Sequence, residues 1–119
     1  MTNIPRTELS QKSGNQLKTV SIADVTHFSA DCKYVSAFYP GGQLLLDDTL
    51  IELEAEFGDL FVRVHRSTLV ARAKIRAVKW IPNGRFSVIE VEGVAEPLRI
   101  ARRLKSVVRD AMLRAGVAQ

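Results

Sequence analysis

The chain of 119 residues has few of the residue types that build disulfide frameworks and metal centres. It contains one cysteine, Cys32, so an intrachain disulfide and a cysteine-rich zinc site are both excluded, and only two histidines remain as ligands for a metal. We therefore predict no metal and no cofactor. Cys32 is expected to be a reduced thiol, with redox sensitivity as the lesser alternative.

Long apolar runs are also missing. No run approaches the length of a membrane span, and residues 1–18 hold no apolar signal-peptide core, so we expect a cytoplasmic protein without a membrane partner. A hydrophobic content of 46% with 25% charged residues is typical of a globular chain, and the length suits one domain. We predict a linker over residues 1–5, a domain over residues 6–116 and a tail over residues 117–119.

The residue sets that enzymes use are absent as well. His27 and His65 have no adjacent nucleophile or metal-ligand set, and no glycine-rich phosphate loop precedes a helix. Three neighbouring carboxylates fall on the outward side of a predicted helix, where a solvated face is far more common than acid/base catalysis: Glu52, Glu54 and Glu56. The sequence therefore predicts a protein that is not an enzyme.

Charge is distributed unevenly along the chain. Residues 1–62 contain four Lys or Arg against nine Asp or Glu, a net charge of −5, whereas residues 63–119 contain thirteen against four, a net charge of +9. A dipolar charge distribution of this kind would orient the protein on an anionic polymer. The alternative is that the two halves interleave in the fold and the asymmetry averages out.

Alternating apolar residues and turn signals predict a mainly β fold with short helices. Hairpins are expected at 7–12 with 16–20, at 34–39 with 43–46, and at 74–81 with 86–91 around the turn 82–84, followed by a strand over 98–100. Thr49 and Glu52 form a capping-box pattern that starts a short acidic helix ending at Gly58. A C-terminal helix should begin at Arg102 and bury one face, which carries Leu104, Val107, Val108, Ala111 and Met112.

Two basic stretches stand out within this pattern. Residues 61–71 predict a strand with Val62 and Val64 on one face and Arg63 and His65 on the other, followed by Arg66 and Ser67 in an exposed turn. The planar guanidinium of arginine suits a phosphate or a guanine edge. The plainer interpretation is that these side chains only solvate a strand end.

The second basic stretch lies where the last strand meets the C-terminal helix. Three cationic side chains cluster there: Arg102, Arg103 and Lys105. The N-terminus of a helix adds its own attraction for anions.

Three separated motifs resemble one family. Residues 23–35, ADVTHFSADCKYV, resemble its D-I-x-x-I/F-x-A-x-x-K-Y-V pattern; residues 61–71, FVRVHRSTLVA, resemble F-x-R-x-H-R-S-x-L-V-N; and residues 100–103, IARR, resemble V-S-R-R. Together they are similar to the LytTR DNA-binding domain of bacterial response regulators, in its alginate-regulator branch. Two positions depart from the pattern, because Ala71 and Ala101 stand where the family often has Asn and Ser.

The resemblance implies packed small β-sheets that lay loops into successive major grooves of double-stranded DNA, as the effector domain of a two-component regulator of transcription. It also implies a receiver domain before this segment in the full-length protein. By motif, the DNA-facing loops are those of Lys33 and Tyr34, of Arg66 and Ser67, and of Arg102 and Arg103, with Arg63 and His65 as flanking phosphate contacts. Binding as a dimer or as tandem copies stays open.

The alternative to DNA is a different class of partner. A β-rich interaction module with a basic face could bind RNA or an acidic protein instead. Preference for one duplex sequence over a scrambled duplex would separate these functions.

Overall fold

The computed structural model describes residues 4–80 and 87–115, with side chains up to residue 113, and strands dominate this part of the chain. The described strands are β1 (Glu8–Ser13), β2 (Gln16–Ser21), β3 (His27–Ala30), β4 (Val35–Tyr39), β5 (Gly42–Leu46), β6 (Phe61–His65), β7 (Thr68–Ala71), β8 (Ile75–Lys79), β9 (Ser87–Val91) and β10 (Leu98–Ile100). The α-helices are α1 (Leu50–Glu56) and α2 (Lys105–Ala115), and short 3-10 helices occupy Ile22–Asp24, Arg72–Lys74 and Arg102–Leu104.

The strands form three antiparallel sheets. β1 pairs with β2, five strands follow the order β5-β4-β3-β7-β6, and three strands follow the order β10-β9-β8. The predicted mainly β fold with small sheets, a short acidic helix and a C-terminal helix is therefore confirmed. The predicted turn at 82–84 and the tail over residues 117–119 lie outside the described residues.

The five-stranded sheet separates two hydrophobic cores at β6 and β7. Phe61 and Leu69 pack into one core with residues of α1 and the β1–β2 hairpin, whereas Val62, Val64 and Val70 pack into the other with the three-stranded sheet and α2. Successive side chains of a strand point to opposite faces, which explains how one strand serves two cores. Both ends of β6 are thereby fixed relative to the rest of the domain.

Helix α1 begins at the predicted capping box. The Oγ1 of Thr49 accepts from the Glu52 N–H at 3.1 Å, and the Glu52 carboxylate accepts from the Thr49 N–H at 2.8 Å. Glu52 is exposed, whereas Glu54 and Glu56 are half-buried surface residues that each bind an arginine. Glu54 is bound to Arg63 of β6 at 3.0 Å. Glu56 is bound at 2.7 Å to Arg6, which is 50 residues away in sequence.

The C-terminal helix also differs from its prediction. Arg102–Leu104 form a 3-10 turn, and α2 begins at Lys105. Val108, Ala111 and Met112 are buried, but Val107 is 45% exposed, because the buried stripe follows the spacing i, i+3, i+4 from residue 108 and leaves residue 107 at its side. Within the described segments, no helix is long and apolar enough to cross a membrane.

Candidate nucleic-acid interface

Three cation-bearing segments that are distant in sequence lie side by side in the fold. The Ala30 N–H, just before the first segment, donates to the Ser67 carbonyl at 2.8 Å. The Ala101 N–H, within the third segment, donates to the carbonyl of Val64, just before the second, at 2.8 Å. Segments 31–34, 65–67 and 99–105 therefore form one continuous surface, which we call the loop end.

The first segment is a tight loop closed by Asp31. Its Oδ1 accepts from the backbone N–H groups of Lys33 and Tyr34, both at 2.9 Å, and its own N–H donates to the Tyr34 carbonyl at 3.0 Å. These backbone hydrogen bonds hold the pKa of the Asp31 carboxyl below its usual value, with that from Tyr34 the largest cause. Lys33 and Tyr34 are consequently presented to solvent on an ordered loop. Asp31 was not predicted from sequence, although an Asp whose carboxylate accepts from the backbone two residues further on is a known turn signal.

The second segment is a two-residue hairpin turn, with Arg66 and Ser67 between the paired residues His65 and Thr68. The register shifts between Arg63 and His65, so Val64 lies at a β-bulge. Bulges are common beside functional sites, where they redirect side chains. Here the Val64 carbonyl at the bulge is the acceptor that binds the third segment.

His65 lies beside this turn, and its ring is hydrogen-bonded to Ser67. Its Nδ1 accepts from the Ser67 N–H at 3.3 Å and lies 2.9 Å from the Ser67 Oγ. Because a backbone N–H only donates, Nδ1 carries no proton, and the ring proton is on Nε2. Burial and then the charges of Arg66, Arg99 and Arg103 lower the pKa of His65 below its usual value. The Nε2–H group of His65 is therefore the ring donor left for an external acceptor.

The third segment contains one cation, Arg99, in addition to the three that were predicted from sequence. Arg102 and Arg103 are exposed and Lys105 is half-buried at the start of α2. Arg99 is exposed as well, and its charge acts on His65 together with that of Arg103. The alternation of β10 is the signal that was missed, since Ile100 points into the core and Arg99 therefore points out.

Arg63 is placed differently from the other predicted site residues. Its side chain is only 18% exposed, its Nε donates to Glu54 Oε1 at 3.0 Å, and its Nη1 donates to the Arg66 carbonyl at 2.7 Å. The guanidinium is thus occupied within the protein, beside the turn rather than on the open surface. Its assignment as a phosphate contact stays a prediction.

The charge asymmetry of the sequence is partly cancelled by ion pairs elsewhere. On the three-stranded sheet, Lys79 lies 3.5 Å from Glu90 and Arg76 lies 3.3 Å from Glu92. Among the residues with described side chains, five cations of the loop end form no ion pair with a carboxylate: Lys33, Arg66, Arg102, Arg103 and Lys105. The loop end therefore holds several cations whose charge is available to an external anion.

Comparison with known proteins identifies a family of DNA-binding domains. Residues 15–112 match the family model described as the LytTr DNA-binding domain. The positive alginate biosynthesis regulatory protein of Pseudomonas aeruginosa is 36% identical over 108 residues, which cover 91% of this chain and 44% of that protein. The chain thus spans less than half the length of this relative.

A solved structure has the same fold. It is the LytTr DNA-binding domain of a Bacillus cereus protein described as a methyl-accepting/DNA response regulator, and it matches with a TM-score of 0.77 at 19% identity, covering 90% of this chain and 97% of that one. This chain belongs to the LytTr DNA-binding domain family. The resemblance noted from the three sequence motifs, including that to alginate regulators, is confirmed.

Proposed function

We propose that the loop end binds double-stranded DNA in a sequence-specific manner and that the domain is the DNA-binding part of a bacterial transcription regulator. The observation that carries the proposal is the pair of backbone hydrogen bonds from Ala30 to Ser67 and from Ala101 to Val64. They bring three cation-bearing segments into one surface, as contact with a polyanion along successive grooves requires.

Within this surface, we assign recognition of bases to Arg66 and Arg102. Both are exposed, and each lies on a turn, from which a long side chain can reach the floor of a groove. A bidentate arginine donates to O6 and N7 of guanine in the major groove. The remaining loop-end cations, which are Lys33, Arg99, Arg103 and Lys105, would neutralise phosphates and fix the position of the domain on the duplex.

Ser67, Tyr34 and His65 supply further hydrogen-bonding groups of the surface. The Tyr34 side chain is 48% exposed, so its hydroxyl is available to a phosphate or a base edge. The Nε2 proton of His65 is available in the same way, since Nδ1 is already occupied by Ser67.

The larger protein is inferred from the relatives. A receiver domain preceding this segment, control by phosphorylation and a cytoplasmic location beside the chromosome would complete a two-component regulator. The DNA-binding family supports this function and gives no support to the alternative of an RNA-binding or acidic-protein-binding module.

The experiment is selection of bound duplexes from a random-sequence pool, followed by competition between the selected duplex, a scrambled duplex and an RNA duplex of the same sequence. We expect a defined motif and a preference for the selected DNA of at least about 10³-fold over scrambled DNA. Lys18→Ala is the matched control, because Lys18 lies by Tyr39, at the opposite end of β4 from the loop of residues 31–34. No enriched motif, or equal binding of the RNA duplex, would overturn the proposal.

A further inference from the structure

Arg63 connects the acidic helix to the turn that carries Arg66. Its Nε–H donates to Glu54 Oε1 of α1 at 3.0 Å, and its Nη1–H donates to the Arg66 carbonyl at 2.7 Å. Glu54 lies next in sequence to Leu53, which is fully buried, and three residues before Phe57, which is buried in the same core. The carboxylate is therefore attached to a rigid element.

The turn at Arg66 and Ser67 needs such support. The favoured two-residue hairpin turns require a positive φ at the first central residue, or at both. Neither residue is a glycine, and no non-glycine residue in segments 4–80 and 87–115 has a positive φ. The turn is thus of neither favoured type, so hydrogen bonds from neighbouring groups contribute to holding its geometry.

Three such contacts are present. Arg63 Nη1 binds the Arg66 carbonyl, the His65 ring binds Ser67, and the Ala30 N–H binds the Ser67 carbonyl. Of these, the contact from Arg63 is the one that acts on Arg66 itself. This contact ties the Arg66 carbonyl to the Arg63 side chain.

We propose that Glu54 is a positioning residue for DNA recognition: it orients Arg63, and Arg63 fixes the Arg66 peptide so that the Arg66 side chain points toward the bases. This inference rests on the proposed function of the loop end. It gives the acidic helix a part in sequence preference, although α1 itself carries the charge that duplex DNA repels.

The proposal predicts an effect opposite in sign to that of simple electrostatics. Glu54→Gln removes a negative charge, so long-range electrostatics alone would strengthen binding to every duplex. Positioning predicts the reverse for the selected duplex, since a neutral amide binds the guanidinium more weakly than a carboxylate does. The two explanations are therefore distinguished by the direction of a single change.

The first test measures dissociation constants of Glu54→Gln for the selected and the scrambled duplex. We expect affinity for the selected duplex to fall about 3- to 5-fold, the range that a half-exposed ion pair supports, while affinity for scrambled DNA stays equal or rises. Glu52→Gln is the matched control, because it removes one charge from the same helix while glutamine keeps the capping box with Thr49. For Glu52→Gln, the ratio of the affinity for the selected duplex to that for the scrambled duplex should equal the wild-type ratio.

Arg63→Lys separates positioning from direct contact with a phosphate. Lysine keeps the charge, so a phosphate contact would retain both affinities, but its single ammonium lacks the planar fork that binds Glu54 and the Arg66 carbonyl together. We expect Arg63→Lys to lose preference for the selected duplex and to keep its affinity for scrambled DNA. Melting temperatures within a few degrees of the wild type establish that both variants are folded.

A double-mutant cycle with Arg66→Ala completes the test. If Glu54 acts through Arg66, Glu54→Gln causes no further loss of affinity for the selected duplex in the Arg66→Ala background. An undiminished effect there, or stronger binding of the selected duplex by Glu54→Gln, overturns the inference and leaves the proposed function intact. A wild-type protein without preference, unaffected by Arg66→Ala, overturns the proposed function itself.

Discussion

Arginine side chains have different partners at the two ends of the domain. At the acidic end, formed by Asp48 and the acidic residues of α1, Arg6 donates to Glu56 and Asp48 at 2.7 and 2.9 Å and lies over the Phe57 ring. Hydrogen bonding to Glu56 is the main cause that raises the pKa of Arg6, and the same contact lowers the pKa of the Glu56 carboxyl. At the loop end, Arg66, Arg102 and Arg103 have no carboxylate partner among the described side chains.

The comparison shows that the function of an arginine follows from its neighbours and not from its residue type. A carboxylate within hydrogen-bonding distance makes Arg6 a structural residue, whereas its absence leaves Arg66 available to an external anion. Arg63 is intermediate, since it has a carboxylate partner and also binds the backbone of the loop end. The predictions below test this division, in order of decreasing expected effect.

The largest effect is expected for the packing of the acidic end. Phe57 is 1% exposed and its ring lies 6.3 Å from that of Phe28 and 6.2 Å from that of Phe61. Phe57→Ala should lower the free energy of unfolding by about 3–5 kcal/mol, measured by urea denaturation. Ile51→Ala on the same helix is the control, because Ile51 is 73% exposed and its loss should change stability by less than about 0.5 kcal/mol.

The next effect concerns pH and the buried histidine. His27 is 7% exposed and stacks on Phe38 with ring centroids 4.5 Å apart, and burial lowers its pKa to about 4. The unfolded chain, with a histidine pKa near its ordinary value of about 6.5, binds the proton first as the pH falls. Stability should therefore decrease by about 2–3 kcal/mol from pH 6.5 down to about pH 4, and then level off with respect to this group.

The variant His27→Phe removes this titration. Its free energy of unfolding should be flatter than that of the wild type between pH 6.5 and pH 4, measured by denaturation at each pH. An unchanged pH dependence would mean that His27 is not the titrating group.

A smaller effect is expected when one arginine from each end of the domain is replaced by alanine. Arg66→Ala should cost about 1–3 kcal/mol of binding free energy on the selected duplex and relax preference at one or two base pairs, without a change in stability. Arg6→Ala should do the opposite, lowering stability by at most about 1 kcal/mol while DNA affinity is retained, because its ion pairs are partly exposed. If Arg6→Ala relaxed base preference, the division between the ends would be wrong.

The smallest effect is on the salt dependence of binding. The slope of log affinity against log salt should be about −0.9 for each phosphate contacted, and Arg103→Ala should reduce its magnitude by about one unit. Arg76→Ala is the control, since Arg76 is paired with Glu92 on the three-stranded sheet. A slope of zero for the wild type would exclude binding through phosphates.

The local features of this fold could be predicted from sequence, because they depend on neighbouring residues. The hairpin of β1 and β2, the capping box at Thr49 and the exposed turn at Arg66 all follow from alternation, capping chemistry and turn residues. The three predicted DNA-facing loops are also brought together, although their residue roles stay predictions. The similarity of three motifs to one family supplied that grouping, which periodicity alone did not.

The contacts that were missed are those between distant segments. Nothing in the spacing of residues 54 and 63 indicates that Glu54 binds Arg63, because the contact depends on how α1 packs against the sheet. The lowered pKa of His65 was missed for the same reason, since it depends on burial and on the charges of Arg66, Arg99 and Arg103. The exposed position of Val107 depends on the exact rotation of α2 against the second core.

The central claim is that the loop end, and not the acidic end, contacts DNA. The most direct measurement is titration of the isotope-labelled domain with the selected duplex, followed by backbone amide chemical shifts. The account predicts that the largest changes fall on residues 31–34, 65–67 and 99–105, while the β1–β2 hairpin and the outer face of α1 change little. Largest changes on the β1–β2 hairpin or on the exposed face of α1, with the three segments unaffected, would contradict it.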